Sequence, residues 1–130
     1  MDIIVGKGIK LKKDDFLIYL SDLLDELYKS LNAEIDLSVR IVKKLGKNLN
    51  KDETIYACVN YKCGKYYLYI SKEIYKHYIR NDFYHIEAVL YHEFVHLYDI
   101  LHLQKYASKI FIDKKLHVNM NTSKKLVSNI

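Results

Sequence analysis

Apolar residues recur at helical spacing in two long stretches of the chain. The first stretch follows Asp14 and Asp15, which can cap the start of a helix, and it ends near Asn32. Because apolar residues three and four positions apart share one side of a helix, this spacing predicts a long amphipathic helix. Its apolar face consists of Phe16, Leu20, Leu23, Leu24, Leu27 and Leu31.

The second stretch lies in the C-terminal half. Asn81 and Asp82 can cap a helix that begins at about Phe83 and continues beyond Leu101. Its apolar residues again return every three or four positions, so one side of this helix is suited to a hydrophobic core. That side consists of Phe83, Ile86, Leu90, Phe94, Leu97 and Leu101.

Between the two helices the pattern changes to that of β-strands. Residues 35–45 alternate between apolar and polar side chains and stop at Gly46. Residues 54–60 and 66–70 are β-branched and aromatic runs, and the glycine in the short segment between them indicates a hairpin. We therefore expect an α+β domain with an N-terminal helix, a small three-stranded mixed sheet and then the second helix, with the helices on one face of the sheet.

Composition limits the architecture to one domain. The chain has 130 residues, half of them hydrophobic, which is enough for a single core. We predict one domain over residues 1–118 and a polar, frayed tail over 119–130. Cys58 and Cys63 cannot form a four-thiolate zinc site, so they are expected to be ordinary thiols or one disulfide.

The charge pattern indicates a solvated surface. The formal net charge is +5, but the lysines are interleaved with Asp and Glu along the chain, so nucleic acid is a less favoured partner than a polypeptide. No apolar run approaches the roughly 20 residues that cross a bilayer, and the first residues lack a secretory or transit pattern. We expect a soluble protein or one with peripheral membrane association.

The chemistry-bearing motif lies on the second predicted helix and reads His92-Glu93-Phe94-Val95-His96. Residues i and i+4 lie on the same helical face, so the two imidazoles can converge on one metal ion. Glu93, adjacent to the first histidine, can take a proton from a water molecule that attacks a carbonyl and deliver it to the leaving amine. The spacing predicts a site for one Zn²⁺ ion, with His92 and His96 as ligands and Glu93 as the catalytic residue.

A catalytic zinc ion needs a third protein ligand. Asp99 lies on the same helical face as the histidine pair and is favoured, either as a ligand or as a carboxylate that orients His96. His102 has the spacing of the third metzincin histidine, but it reaches the metal only if the chain turns at Asp99. Asp113 and His117 remain open as alternatives. Tyr98 and Tyr106 are the candidates nearest in sequence for stabilising an oxyanion.

The segment His92-Glu93-Phe94-Val95-His96-Leu97-Tyr98-Asp99 resembles the mitochondrial inner-membrane metallopeptidases that process and help assemble the ATP synthase membrane sector. That family carries His-Glu-Leu-Ile-His-Ala-Tyr/Phe-Asp, and a weaker similarity covers residues 106–110. The resemblance implies a zincin fold, zinc bound by His92 and His96, catalysis by Glu93 and a location on the intermembrane-space side of the inner membrane. The chain departs from the family at Lys109, near the place of a family glutamate, and in lacking most of its cysteines.

These observations predict a zinc-dependent endopeptidase in which a substrate strand pairs with the edge formed by residues 66–70, as zincins place an edge strand beside their cleft. Two alternatives stay open. One is a DNA-associated minimal zincin protease, supported by the basic charge alone. The other is a non-catalytic assembly chaperone or interaction module that keeps the fold.

Overall fold

The computed structural model of the chain describes residues 1–12, 15–45 and 54–109, and the last six of these by their backbone alone. The protein is α+β, as predicted, with two long helices and a mixed sheet. Along the chain the elements are β1 (Ile3–Val5), α1 (Asp15–Ser30), β2 (Leu37–Val42), β3 (Ala57–Lys62), β4 (Lys65–Ser71), α2 (Ile74–Ile79) and α3 (Phe83–Lys109).

The sheet has four strands in the order β1-β2-β4-β3, so the prediction of three strands was wrong. The missed strand, β1, is three residues long and therefore too short to display an alternating pattern. It pairs in parallel with β2, and the chain crosses between them through α1. β2 also pairs in parallel with β4, whereas β3 is antiparallel to β4, so the sheet is mixed as expected.

The position of β4 corrects a second prediction. Residues 66–70, expected at an edge, belong to a central strand whose two sides are hydrogen-bonded to β2 and β3. The edge strand beside them is β3, which is joined to β4 by the two-residue turn Cys63-Gly64. Both turn residues have positive φ, 52° and 80°, which is the backbone twist that tight hairpins favour. Any strand added to this end of the sheet must therefore pair with β3.

Burial alternates along the sheet because successive side chains point to opposite faces. Val39 and Ile41 of β2 and Leu68 and Ile70 of β4 are buried, whereas Arg40 between the first two is exposed. On the buried face lies the apolar side of α1, where Phe16, Leu20 and Leu24 are buried as predicted, and Leu31, directly after the helix, is buried too. The other two leucines of the predicted stripe, Leu23 and Leu27, are half-buried and line a groove against α3.

The short helix α2 was not predicted because six residues give less than two turns of periodicity. It ends at Ile79, and the chain then turns through Asn81, whose φ of 57° is the left-handed conformation that asparagine tolerates, before α3 begins. The backbone N–H of His85 donates to Asp82 Oδ1 at 3.4 Å. Asp82 therefore caps α3, as the sequence predicted.

Cys58 in β3 and Cys63 in the turn are not joined by a disulfide, so the disulfide alternative was wrong. No helix within residues 1–12, 15–45 and 54–109 combines the length and the apolar character that a bilayer crossing requires. The predicted boundary between the domain and its C-terminal tail, 118 and 119, lies outside the described residues.

Candidate metal centre

Helix α3 presents the predicted motif because its opposite side is fixed in the core. Ile86, Leu90, Phe94 and Leu97 are all buried there, at the spacing expected for one helical face. The residues at the two ends of the predicted apolar side are less buried than these four: Phe83 is exposed and Leu101 is half-buried. Four buried side chains over three turns fix the rotation of the helix about its own axis. That rotation determines where the motif side chains point.

The motif histidines converge. Nε2 of His92 and Nε2 of His96 lie 3.1 Å apart, and their rings are nearly perpendicular, with centroids 4.7 Å apart and an interplanar angle of 78°. Two nitrogen ligands of a tetrahedral zinc ion, each about 2.0–2.1 Å from the metal, are separated by about 3.3 Å. The observed separation is close to that value. It also suits a hydrogen bond from one neutral imidazole to the other.

His92 is partly buried and lines a groove between α1 and α3. The groove has a volume of about 500 Å³ and is mostly apolar, with the carboxylates of Glu26 and Glu87 along it. Burial lowers the pKa of His92 below the ordinary value, because desolvation disfavours the charged imidazolium. The neutral imidazole, which is the form that binds a metal ion, is therefore favoured at this position. The apolar lining includes Leu23, Leu27, Tyr84, Tyr91 and Val95.

Glu93 is buried, with 8% of its surface exposed, and is one of two buried polar residues among those the structure describes. Glutamate is rarely buried without a polar partner, and this side chain does take part in a polar or electrostatic interaction. Its position is set by the helix: it follows His92 directly and lies towards the core edge of the motif face. Burial restricts the movement of this side chain.

The structure does not bring Asp99 into this pair. Among the described residues, no third His, Cys, Asp or Glu places a ligand atom within 4.8 Å of the ligand atoms of both His92 and His96. Asp99 lies half-buried one turn further along α3. Its role as a third ligand or as the group that orients His96 stays a prediction.

The metzincin alternative fails because α3 does not turn at Asp99 but continues to Lys109. His102 consequently lies on the exposed surface, where its ring stacks on Tyr98 at a centroid distance of 6.3 Å. Tyr98, a candidate for oxyanion stabilisation, is itself 53% exposed. The remaining candidates, Asp113, His117 and the side chain of Tyr106, lie outside the described residues.

A second group of metal-binding residue types lies at the junction of α2 and α3. His77, Asp82 and His85 place one ligand atom each within 4.8 Å of the others. From the sequence, Asp82 was expected only to cap a helix, and His77 was not a candidate because α2 was not predicted. The spacing His-x₄-Asp-x₂-His was the available signal, but it needs the α2–α3 turn to bring its members together.

No protein-family model, curated protein or solved structure matches the chain. The resemblance to the mitochondrial metallopeptidases therefore depends on the motif segment and its neighbours in the sequence.

Proposed function

We propose that the protein is a zinc-dependent metallopeptidase, and the observation that carries this proposal is the pair of imidazole nitrogens 3.1 Å apart next to the buried Glu93. A histidine pair alone would also suit a structural ion. A buried carboxylate adjacent to the pair is the additional element that peptide hydrolysis needs, because a base must lie within reach of the attacking water.

The donor set fits one zinc ion, with His92 and His96 as two of its ligands. When bound, zinc would lower the pKa of a water molecule and polarise the peptide carbonyl. A third protein ligand must come from Asp99 after a side-chain movement or from a residue outside the described part of the chain. Two imidazoles without a third ligand leave room for exchangeable water but hold the ion less firmly.

Glu93 supplies the proton transfers. Its carboxylate accepts a proton from the water molecule as the oxygen attacks the peptide carbonyl carbon, and the same proton then passes to the nitrogen of the leaving amine. The peptide C–N bond breaks in the second step and the products are a carboxylate and an amine. Burial of Glu93 limits exchange of that proton with bulk water.

The edge strand β3 is the proposed docking site for the substrate backbone. One side of β3 pairs with β4, and its other side is the edge of the sheet, so an extended peptide can add there by main-chain hydrogen bonds. Helix α3 packs against β3, which places this edge beside the helix that carries the motif. The edge strand β3 therefore replaces residues 66–70, which were expected to dock the substrate.

The direct test is Glu93→Gln, assayed with a library of quenched fluorescent peptides. Glutamine keeps the shape of the side chain but cannot act as a base, so we expect cleavage to fall by at least about 100-fold while the bound zinc stays. Glu34→Gln, an exposed glutamate between α1 and β2, is the matched control and should cleave as the parent does. Equal cleavage by Glu93→Gln and the parent would exclude the mechanism.

The metal assignment is tested separately by elemental analysis of protein purified without chelator. Replacing His92 and His96 together by alanine should remove one zinc ion per chain. An unchanged zinc content would exclude this pair as the site, whether or not the protein cleaves peptides.

A second candidate, a non-catalytic interaction module, is favoured by one observation: no third ligand joins the histidine pair among the described residues. If the protein is such a module, the Glu93→Gln variant should replace the parent protein fully in a complementation assay. The resemblance to the mitochondrial metallopeptidases also implies a location on the inner mitochondrial membrane and a role in ATP synthase assembly. We propose both only on the basis of that resemblance. The peptidase proposal does not depend on them.

A further inference from the structure

The junction between α2 and α3 holds a compact cluster of imidazole and carboxylate groups that the proposed peptidase mechanism does not use. His77 comes from the last turn of α2, Asp82 caps α3, and His85 lies in the first turn of α3. Nδ1 of His77 lies 3.2 Å from Asp82 Oδ2, and the two imidazole rings lie 3.9 Å apart, centroid to centroid.

We propose that His77, Asp82 and His85 form a second metal site, which binds a divalent transition ion of the Zn²⁺ type and fastens α2 to the start of α3. Two imidazoles and one carboxylate are a donor set that suits such ions and leaves one position for water. This proposal is independent of the proposed peptidase function.

The backbone and a neighbouring aromatic ring preorganise the three side chains. The N–H of Asp82 donates to the carbonyl oxygen of His77 at 2.8 Å, which fixes the two residues relative to each other. Oδ1 of Asp82 accepts from the N–H of His85, so Oδ2 is left to face His77. Tyr56 packs edge-on against both imidazoles, with ring centroids 5.0 Å from each, and limits their rotation.

The second observation that points to a ligand is an unpaired nitrogen. Nε2 of His85 is buried from solvent and has no hydrogen-bond partner among the described residues. A buried polar atom without a partner is costly. If an imidazole of this cluster bound a metal ion through one nitrogen, the proton would lie on its other nitrogen, and the need for a hydrogen-bond partner would change accordingly. The group is thus incomplete as a hydrogen-bond network.

Only the side chains of the cluster would have to move for their ligand atoms to surround one ion. Neighbouring ligands of tetrahedral zinc are about 3.3 Å apart, which the His77–Asp82 pair already meets at 3.2 Å. The imidazole rings are nearly parallel, with an interplanar angle of 16°, so their nitrogen lone pairs must turn towards each other. Asp82 also offsets the positive end of the α3 dipole, which would otherwise oppose a cation at this place.

The test uses the full chain with His92 and His96 replaced by alanine, so that the motif pair contributes no ligand. After removal of metal with a chelator, we expect this protein to bind one Zn²⁺ or Co²⁺ ion in a calorimetric titration, and zinc to raise its unfolding temperature. Absence of binding would overturn the proposal.

Three further variants in the same background locate the ion. His77→Ala with His85→Ala should lose binding completely. Asp82→Asn, which keeps a capping side chain and so preserves the start of α3, should weaken binding by at least about tenfold. His102→Ala, an exposed histidine of the same helix, is the matched control and should bind as its parent does. Binding that survives in the first two variants would place the ion elsewhere and overturn the proposal.

Discussion

The two histidine groups that involve α3 differ in how the chain assembles them. His92 and His96 belong to one helix, four residues apart, and their rings meet edge to face. His77 and His85 come from two helices, and their rings stack, with the carboxylate of Asp82 at the side. The first group depends on helical spacing alone, whereas the second exists only if α2 ends and α3 begins at the observed residues. Local geometry thus creates the motif pair, and tertiary geometry creates the junction group.

The surroundings differ in the same sense. His92 borders an apolar groove, and its neighbour Glu93 is buried at the core edge. In the junction group only the carboxylate faces solvent: 46% of the Asp82 side chain is exposed, against 16% of the His77 side chain. A histidine pair next to a buried glutamate in the sequence suits chemistry, and a group with one exposed carboxylate between two helix ends suits attachment. Three measurements test this contrast.

The largest effect is expected at Leu90, which is fully buried on α3 between His85 and His92. Leu90→Ala removes buried methyl groups and leaves a cavity, so the free energy of unfolding should fall by about 2–5 kcal/mol. Urea denaturation measures the loss. Val95→Ala, at a half-buried groove position, is the control and should cost clearly less. Equal losses would mean that the core does not hold α3 more firmly than the groove does.

A smaller effect is expected at Asp82 in metal-free protein. Asp82→Ala removes the helix cap and should lower the free energy of unfolding by about 1 kcal/mol. Asp82→Asn should change the free energy of unfolding by only about a few tenths of a kcal/mol, because asparagine also caps helices. Denaturation in the presence of a chelator measures both. If the two variants were equally destabilised, the charge of Asp82, and not its cap, would stabilise the junction.

The smallest effect concerns pH. Burial lowers the pKa of His92 in the folded protein, so on acidification the unfolded chain takes up its proton at a higher pH than the folded chain does. The stability of metal-free protein should therefore fall as the pH decreases through the ordinary histidine value of about 6.5. Urea midpoints across that range measure it. His92→Asn should flatten the dependence, whereas His102→Asn should leave it; an unchanged slope in His92→Asn would contradict the desolvation.

The two long helices were predictable because their apolar residues repeat over several turns. The amphipathic stripes predicted α1 and α3 and most of their buried residues, and the capping residue Asp82 marked the start of α3 correctly. β1 has only three residues and α2 fewer than two helical turns, which is too little periodicity for either to be recognised, whereas six residues are enough for the two-residue period of β2 and β3. Missing α2 also hid His77, and with it the junction group.

The order of strands was not predictable from spacing because both strands of a hairpin can pair with a neighbour. The composition of the two strands did indicate their order, because β4 contributes the buried Leu68 and Ile70, whereas β3 carries exposed Asn60 and Lys62. Apolar strands favour the middle of a sheet and polar ones its edge. The third metal ligand could not be decided for a different reason: no described residue completes the histidine pair as it stands, and the candidates Asp113 and His117 lie outside the described residues.

The turn at Cys63-Gly64 also bears on how the protein folds. It lets β3 meet β4 with two intervening residues, whereas β1 must find β2 across 36 positions, from Ile3 to Val39. Closing a short loop loses much less chain entropy than closing a long one, and hairpins form within microseconds. We therefore expect the β3–β4 ribbon to be an early nucleus and β1 to join late, so that truncating β1 side chains should speed unfolding and leave the refolding rate nearly unchanged.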